Sequence, residues 1–177
     1  MSGELTAQAL MLKAARACAS ARALLELGDV DGACSRAYYA MFDAARAALL
    51  ASGAPIQPDI GKTHGGLITA FSLHLVKNGP IPKELGRLLK RAEEIRLVAD
   101  YKSDSVELED ARELVEQAEV FVKALRTEFM PVAPNSPDKT KAESRRREYH
   151  LIAATFYSAV IPLDPPCHER RLSAFAQ

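Results

Sequence analysis

Residues 106–129 read VELEDARELVEQAEVFVKALRTEF and carry the clearest periodicity in the chain. Their apolar side chains recur every three or four residues, at Ala111, Leu114, Val115, Ala118, Phe121, Val122, Leu125 and Phe129. With 3.6 residues per turn, this spacing gathers the apolar side chains on one face of an α-helix and leaves the charged ones on the other. The segment therefore predicts an amphipathic helix that buries one face against neighbouring helices.

Four earlier segments share this helical spacing, and each has residues that favour its boundaries. The segments cover residues 5–27, about 29–52, 63–77 and 82–101. Gly28 ends the first, and Asp29 or Asp31 caps the second. Thr63 caps the third, and Pro82 suits the first turn of the fourth. Because the connections are short, neighbouring helices should run antiparallel. The expected fold class is all-α, an antiparallel up-and-down bundle of four to five helices with a C-terminal extension.

The composition of the chain changes abruptly at Pro131. Residues 131–147, PVAPNSPDKTKAESRRR, are rich in proline, serine and charge, which is typical of linkers and disordered segments. Residues 148–163 are apolar enough to form a short helix or strand, and the prolines from Pro162 onward interrupt anything longer. We predict a helical bundle over residues 1–130 and a linker with a largely irregular tail over residues 131–177.

The overall charge gives no sign of a membrane protein or of a protein attracted as a whole to nucleic acid. The 177 residues include 23 basic and 23 acidic side chains, so only a local patch could attract a polyanion. Lys13, Arg16 and Arg22 interrupt every candidate signal peptide, and no uncharged apolar stretch is long enough to span a membrane. We expect a cytoplasmic protein with no membrane association.

The sequence contains no recognisable metal or cofactor motif. The three cysteines form no paired pattern, and the four histidines include no pair at i, i+4 spacing. Neither a GxGxxG nor a GxSxG string occurs. We expect no metal and no cofactor, and we expect Cys18 and Cys34 to behave as small core residues.

The second helix, with the sequence SRAYYAMFDAARAALL, carries one candidate binding site. Its residues Arg36, Tyr39, Asp43 and Arg46 are spaced by three, four and three residues, and so share one face. The neighbouring Tyr38 belongs to the opposite, buried side. The face is either part of a site or a solvated surface with weak Tyr–Asp and Asp–Arg contacts.

The fourth helix ends in a second group of candidates. Arg96 and Asp100 are four residues apart, and Tyr101 follows Asp100. Arg96 lies at the edge of the apolar stripe, so Asp100 could hold the guanidinium and direct it into a groove. The alternative is a structural Arg–Asp pair that ends the helix, where the helix dipole favours a cation.

The third helix opens with GKTHGG, residues 61–66. Lys62, His64 and the free backbone N–H groups of the first turn could together cradle a phosphate. The string is not a P-loop, because it lacks the GxxxxGK[ST] spacing and no strand precedes it. The alternative is that His64 is an ordinary residue of the capping turn.

Three motifs together make the chain resemble the HEPN domain, a small helical family named for higher eukaryotes and prokaryotes nucleotide-binding. They are SRAYYAMFDAARAALL, KTHGGLITAF followed by HLVKNG, and EEIRLVADY, in the family's order over residues from about 5 to 128. The resemblance implies an antiparallel four- to five-helix bundle that dimerises through its helices. Many family members are metal-independent ribonucleases, often toxins partnered with a small nucleotidyltransferase antitoxin.

The chain departs from the pattern of the active ribonucleases in this family. Their site is an arginine followed, after four to six residues, by a histidine, and it is completed by the dimer mate. There the arginine stabilises the phosphorane charge and the histidine moves the proton of the 2′-hydroxyl. Here Tyr101 follows Arg96 at the histidine position, and a phenol with a pKa of about 10 is a poor general base near neutrality. Tyrosine can donate a hydrogen bond or stack on a base. Arg145 and His150 have the required spacing but lie in the polar tail.

We therefore expect a nucleotide- or RNA-binding or partner-interaction module, one half of a toxin–antitoxin pair with a nucleotidyltransferase. A metal-independent ribonuclease toxin is the alternative. Arg96 and Tyr101 are the candidate catalytic residues. The candidate binding residues are Arg36, Tyr39, Lys62, His64 and Asp100. The expected partners are a second copy of the chain, the nucleotidyltransferase, and RNA or a nucleotide.

Overall fold

The computed structural model describes residues 6–55, 63–101 and 106–130. Helices make up almost all of these ranges, and no strand occurs within them. In chain order they are α1 (Ala7–Glu26), α2 (Val30–Ala51), α3 (His64–Ala70), α4 (Lys83–Tyr101) and α5 (Leu108–Phe129), with a π-helical segment (Phe71–Lys77) directly after α3. The predicted all-α bundle is confirmed. Lys62 and the predicted tail, residues 131–177, lie outside the described residues.

Side-chain caps begin three of the helices. Thr6 caps α1, Asp29 caps α2 and Thr63 caps α3, each by accepting a hydrogen bond from the backbone N–H three residues later. Of the two candidates predicted for α2, Asp29 is therefore the cap. Asp31 instead accepts a hydrogen bond at 3.0 Å from the backbone N–H of Val106, which fixes the start of α5 beside the start of α2.

α2 is the central helix of the described bundle. It packs against α1, α3, the π-helical segment, α4 and α5. Most of its buried side chains are alanine, and α1 also buries Ala14, Ala17 and Ala21. Because alanine adds little thickness to a helix surface, α1 and α2 can lie close together along their length. Alanine on both helices thus explains how α2 can be covered on most of its sides.

Asp43 is buried, so the interpretation of its face of α2 as a solvated surface is wrong for this residue, although Arg36 and Tyr39 of the same face are exposed. The residue is only 4% exposed. Its two carboxylate oxygens lie 3.2 and 3.1 Å from Nζ of Lys13 on α1. The helical wheel of α2 alone could not show this, because the covering helix and its cation come from a different segment.

Four of the helices, α1, α2, α4 and α5, alternate in direction in this order. The contact between Lys13 and Asp43 joins antiparallel stretches of α1 and α2. Asp100, at the C-terminal end of α4, contacts Ser35, near the N-terminal end of α2. Since α5 starts beside the start of α2, it runs parallel to α2 and antiparallel to α4. The C-terminal end of α4 therefore meets the N-terminal half of α2.

The segment predicted as one helix over residues 63–77 changes its hydrogen bonding halfway. After Ala70 the backbone continues as a π-helix, and the N–H of Asn78 bonds to the carbonyl of Leu73, five residues earlier, at 3.1 Å. Gly79 folds back on this end, and a Cβ there would lie 2.6 Å from the carbonyl oxygen of Leu75. Only glycine fits such a close backbone approach. The chain can therefore turn directly from the π-helical segment toward α4.

Candidate functional site

Arg96 is buried at the C-terminal end of α4, where it lies between two tyrosine rings. The residue is 6% exposed, and its Nη1 donates a hydrogen bond at 2.8 Å to Oδ2 of Asp100. The guanidinium carbon lies 5.3 Å from the ring centroid of Tyr38 and 5.9 Å from that of Tyr101, both within cation–π range. Among the described residues, the buried Nε of Arg96 has no hydrogen-bond partner. The side chain thus keeps one N–H uncommitted.

The charge of Arg96 is balanced by Asp100, which also contacts α2. Asp100 accepts a second hydrogen bond, from Oγ of Ser35. Burial acts to raise the pKa of Asp100, but the hydrogen bonds from Ser35 and Arg96 outweigh it and hold that pKa below its ordinary value. Burial likewise acts to lower the pKa of Arg96, and Asp100 more than offsets it, so the pKa of the guanidinium is raised. The pair therefore stays ionised and ties α4 to α2.

Tyr38 connects the Arg96 side chain to α3. Its side chain is fully buried, and its hydroxyl lies 2.7 Å from Nδ1 of His64. Burial is the main cause that raises the pKa of this phenol, so Tyr38 is neutral at physiological pH. When the phenol donates its proton to Nδ1, the imidazole carries its own proton on Nε2. A buried tyrosine hydroxyl needs such a partner, and His64 provides it.

His64 occupies the first position of α3, directly after the Thr63 cap. Its ring is half-buried against three aromatic rings, with centroid distances of 5.4 Å to Tyr38, 6.0 Å to Tyr39 and 5.0 Å to Phe42. Within the described ranges, Nε2 of His64 has no hydrogen-bond partner. The imidazole is therefore held in orientation by Nδ1 and by the rings, with one nitrogen uncommitted.

Two tyrosine rings reach the surface here. Tyr101 is 76% exposed and Tyr39 is 37% exposed, in a chain whose aromatic content is only 6%. The seven residues that meet at this end of α4 are called the Arg96 cluster below: Ser35, Tyr38 and Tyr39 of α2, His64 of α3, and Arg96, Asp100 and Tyr101 of α4. The cluster combines a buried cation, an oriented imidazole and two exposed rings.

The structure brings together most of the residues proposed from the sequence, but not all of them. Tyr39, His64, Arg96, Asp100 and Tyr101 all belong to the Arg96 cluster. Arg36 is exposed and forms no hydrogen bond or ion pair with the cluster within the described residues, and Lys62 lies outside those residues. Hydrogen bonding to Asp100 comes instead from Ser35, the neighbour of Arg36.

Sequence reasoning missed Ser35 and assigned Tyr38 to the core alone. The assignment of Tyr38 to the buried side is correct, yet this residue is also the centre of the cluster. A signal for it existed in the sequence, because a fully buried tyrosine hydroxyl requires a polar partner and the motif KTHGG offered His64. Nothing in the spacing of Ser35 indicated its role.

Two further observations on the described part of the chain concern metal binding and membrane spanning. No three His, Cys, Asp or Glu side chains in it lie close enough together to hold a metal ion. None of its helices is both long enough and apolar enough to cross a membrane.

Comparison with known proteins agrees with the motifs. The model of the HEPN domain family matches residues 7–128. A protein of Methanocaldococcus jannaschii named "Putative toxin MJ0605" is 34% identical over 119 residues, which cover 67% of this chain and 85% of the relative. The UPF0332 protein glr0978 of Gloeobacter violaceus is 36% identical over 125 residues, 70% of this chain and 94% of the relative. A UPF0332 protein of Thermotoga maritima is 35% identical over 107 residues, 59% of this chain and 76% of the relative.

Proposed function

The chain belongs to the HEPN domain family, and we propose that this toxin-like HEPN module binds RNA or a nucleotide at the Arg96 cluster. The observation that carries the proposal is the pair of exposed rings, Tyr39 and Tyr101, beside a buried guanidinium. Nucleic-acid bases stack on exposed aromatic rings with little dependence on sequence. The guanidinium 5.9 Å from the Tyr101 ring is paired with Asp100, but its Nε has no hydrogen-bond partner among the described residues and is a donor that a phosphate oxygen can use.

Tyr101 is the residue through which this proposal is tested. Base–aromatic stacking is worth about 1–3 kcal/mol per base, so Tyr101→Ala should weaken the binding of RNA or nucleotide roughly 5- to 150-fold. Tyr101→Phe keeps the ring and is the matched control, and it should bind within about twofold of the wild type. Because the side chain is 76% exposed, neither variant should change the melting temperature much. Unchanged affinity in Tyr101→Ala would remove the proposed binding site.

A metal-independent ribonuclease is the second candidate, and the Tyr38–His64 hydrogen bond supports it. Tyr101 stands where active members of the family carry histidine, but His64 brings an imidazole to the hydroxyl of Tyr38, whose ring Arg96 contacts. In this reaction His64 is in the tautomer in which Nδ1 donates its proton to the hydroxyl oxygen of Tyr38 and Nε2 carries none. Nε2 then takes the proton of the 2′-hydroxyl, and the 2′-oxygen attacks phosphorus. The bond between phosphorus and the 5′-oxygen breaks, that oxygen takes up a proton from water, and the upstream strand ends in a 2′,3′-cyclic phosphate. The guanidinium of Arg96 stabilises the charge that builds up on phosphorus.

The ribonuclease candidate predicts a requirement for His64. Removing a general base costs typically 10²- to 10⁴-fold, so His64→Ala should abolish cleavage of a labelled RNA in the presence of a chelator. His150→Ala, which alters the Arg-x4-His string of the tail, is the matched control and should leave cleavage unchanged. Tyr38→Phe should reduce cleavage less than His64→Ala, because it removes only the group that orients the imidazole. If the wild-type protein binds RNA and never cleaves it, the ribonuclease candidate is wrong and only the proposal of a binding module is retained.

We also propose that the protein acts as a homodimer and has a nucleotidyltransferase as its partner. The family resemblance supports both proposals, and the toxin name of the Methanocaldococcus relative agrees with a toxin–antitoxin pair. Sedimentation of the 19.3 kDa chain should give twice the monomer mass. A nucleotidyltransferase encoded by the adjacent gene should co-purify with the tagged chain. A strict monomer at micromolar concentration would rule out a site completed by a second copy.

A further inference from the structure

Positive charge is concentrated in one segment of this electrically neutral chain. Residues 77–91 contain five basic side chains and a single acid, Glu84. The basic residues are Lys77, Lys83, Arg87, Lys90 and Arg91. The segment begins at the end of the π-helical segment and continues through the first half of α4. It therefore forms a local basic surface that the net charge of the chain conceals.

Most of this charge faces solvent and has no close acidic partner. Lys83, Arg87 and Lys90 are exposed on α4. Of these three, Lys90 has an acid nearby, Glu94 at 4.0 Å, and in the described ranges Lys83 and Arg87 form no ion pair. Arg91 differs, since its Nη2 lies 3.6 Å from Glu113 of α5. Lys83 and Arg87 are thus available to a ligand, and Lys90 is exposed with Glu94 at the distance limit of an ion pair.

These three cations form one line with the exposed ring of the Arg96 cluster. The exposed residues of this face follow each other at spacings of four, three, four, three and four: Lys83, Arg87, Lys90, Glu94, Leu97 and Tyr101. Spacings of three and four keep side chains on one side of an α-helix. At a rise of 1.5 Å per residue, the stripe from Lys83 to Tyr101 is about 27 Å long. It is called the α4 stripe below.

We propose that the α4 stripe binds single-stranded RNA, with phosphates on Lys83, Arg87 and Lys90 and a base on Tyr101. This inference rests on the proposed function, because it extends the ligand of the Arg96 cluster along the helix. At about 3.4 Å per stacked nucleotide, the stripe accommodates roughly eight nucleotides. Glu94 would repel a phosphate, so the charge contacts end at Lys90, and the apolar Leu97 and the Tyr101 ring take over from there.

The stripe fits a nucleic acid better than an acidic protein segment or a second copy of the chain. An acidic peptide would use the three cations but would have no specific use for the 76% exposed ring at the end of the stripe. A stacking ring in line with evenly spaced cations is the combination by which proteins bind single strands without reading their sequence. A charged stripe of three cations would also repel the identical stripe of a second copy.

The salt dependence of RNA binding tests this inference. For a single strand, each phosphate contact contributes about −0.7 to the slope of log affinity against log salt, so three contacts contribute about −2. The full chain is titrated into a fluorescein-labelled oligouridine of about ten nucleotides at salt concentrations from about 50 to 200 mM. Replacing Lys83, Arg87 and Lys90 together by Gln should flatten the slope by about 2 and weaken binding about tenfold or more at the lowest salt.

Two further variants separate charge from stacking. Replacing Arg112, Lys123 and Arg126 of α5 by Gln removes the same charge from another exposed face and should leave affinity and slope close to those of the wild type. Tyr101→Ala should weaken binding without changing the slope, because it removes a stacking contact and no phosphate contact.

The outcomes distinguish failure of this inference from failure of the proposed function. If the triple variant of α4 binds with the affinity and slope of the wild type, the α4 stripe does not bind RNA, and a loss of affinity in Tyr101→Ala would still support the proposed function. If the wild type binds mononucleotides but not the oligouridine, the stripe is likewise overturned. If the wild type binds neither mononucleotides nor the oligouridine, both proposals are wrong. A triple variant that loses its dimer and keeps its RNA affinity identifies the stripe as an interface between copies, which also overturns the inference.

Discussion

Tyr38 shows at the level of one residue what helical spacing can and cannot predict. The spacing along α2 correctly predicts that Tyr38 is buried. Its role in the cluster depends on His64, 26 residues away along the chain, and on Arg96 of α4. Such contacts follow from the packing of three helices and not from any one of them. The candidate residues on α4 were predictable because they are near each other in sequence, whereas the role of Tyr38 was not.

Burial of Arg96 predicts a large stability effect at this single residue. Arg96→Ala leaves the Asp100 carboxylate without its cation, and breaking a buried ion pair costs roughly 3–5 kcal/mol. Since the Asp100 side chain is 28% exposed, we expect a loss near the lower end of this range. Chemical denaturation measures it directly. Arg112→Ala is the control, since it removes an exposed Arg–Glu pair of the same type and should cost less than about 1 kcal/mol. A small loss for Arg96→Ala would contradict the burial of the Arg96 side chain.

The lowered pKa of Asp100 predicts how stability depends on pH. The unfolded chain takes up the proton on Asp100 near pH 3.9, whereas the folded chain takes it up only at lower pH. The stabilisation from the ionised carboxylate is therefore complete above about pH 5 and is lost as pH falls through the folded pKa. The free energy of unfolding of the wild type should exceed that of Asp100→Asn at pH 6, and the difference should shrink below pH 4. A difference that stays constant down to pH 2.5 would mean that Asp100 titrates alike in both states.

At the scale of elements, the sequence predicted where the helices lie, but not that the backbone of residues 71–77 forms π-helical hydrogen bonds. The caps Asp29 and Thr63 were among those predicted, because a short polar side chain before an apolar run is a local signal. The π-helical turn has no such signal, since residues 71–77 show ordinary helical spacing. It occurs where Gly79 packs closely against the backbone of His74 and Leu75, a contact that cannot be predicted from the sequence.

The alanines of α2 predict that a larger side chain lowers stability at a buried position but not at an exposed one. Ala44 is fully buried, so Ala44→Leu must push neighbouring helices apart and should cost about 1–3 kcal/mol. Ala51→Leu, in the exposed last residue of the same helix, is the matched control and should change stability by less than about 0.5 kcal/mol. Urea denaturation of both variants makes the comparison. Equal effects would mean that α2 is not packed as tightly as its alanines indicate.

At the scale of the molecule, the buried thiols report how the bundle opens. Burial is the main cause that raises the pKa of Cys18 to about 11 and that of Cys34 to about 12. At pH 8 the fractions present as thiolate are therefore about one in a thousand and one in ten thousand. In a Cys167→Ser background, both thiols should resist alkylation in native buffer and react within minutes in urea. Rapid native labelling of one thiol would show that its helix opens independently of the rest.

The π-helical segment also bears on how chain length can vary in this family. A stretch of π-helix holds one residue more than an α-helix needs between the same two ends, so it can absorb an insertion or deletion that elsewhere would shift the register of the core. Deleting the exposed Ser72 should return residues 71–77 to α-helical bonding and leave a folded protein with a slightly changed melting temperature. Deleting Ala44 from α2 should unfold it, because every later side chain of that helix would rotate by about 100°. Relatives should therefore differ in length between α3 and α4 more readily than within α2.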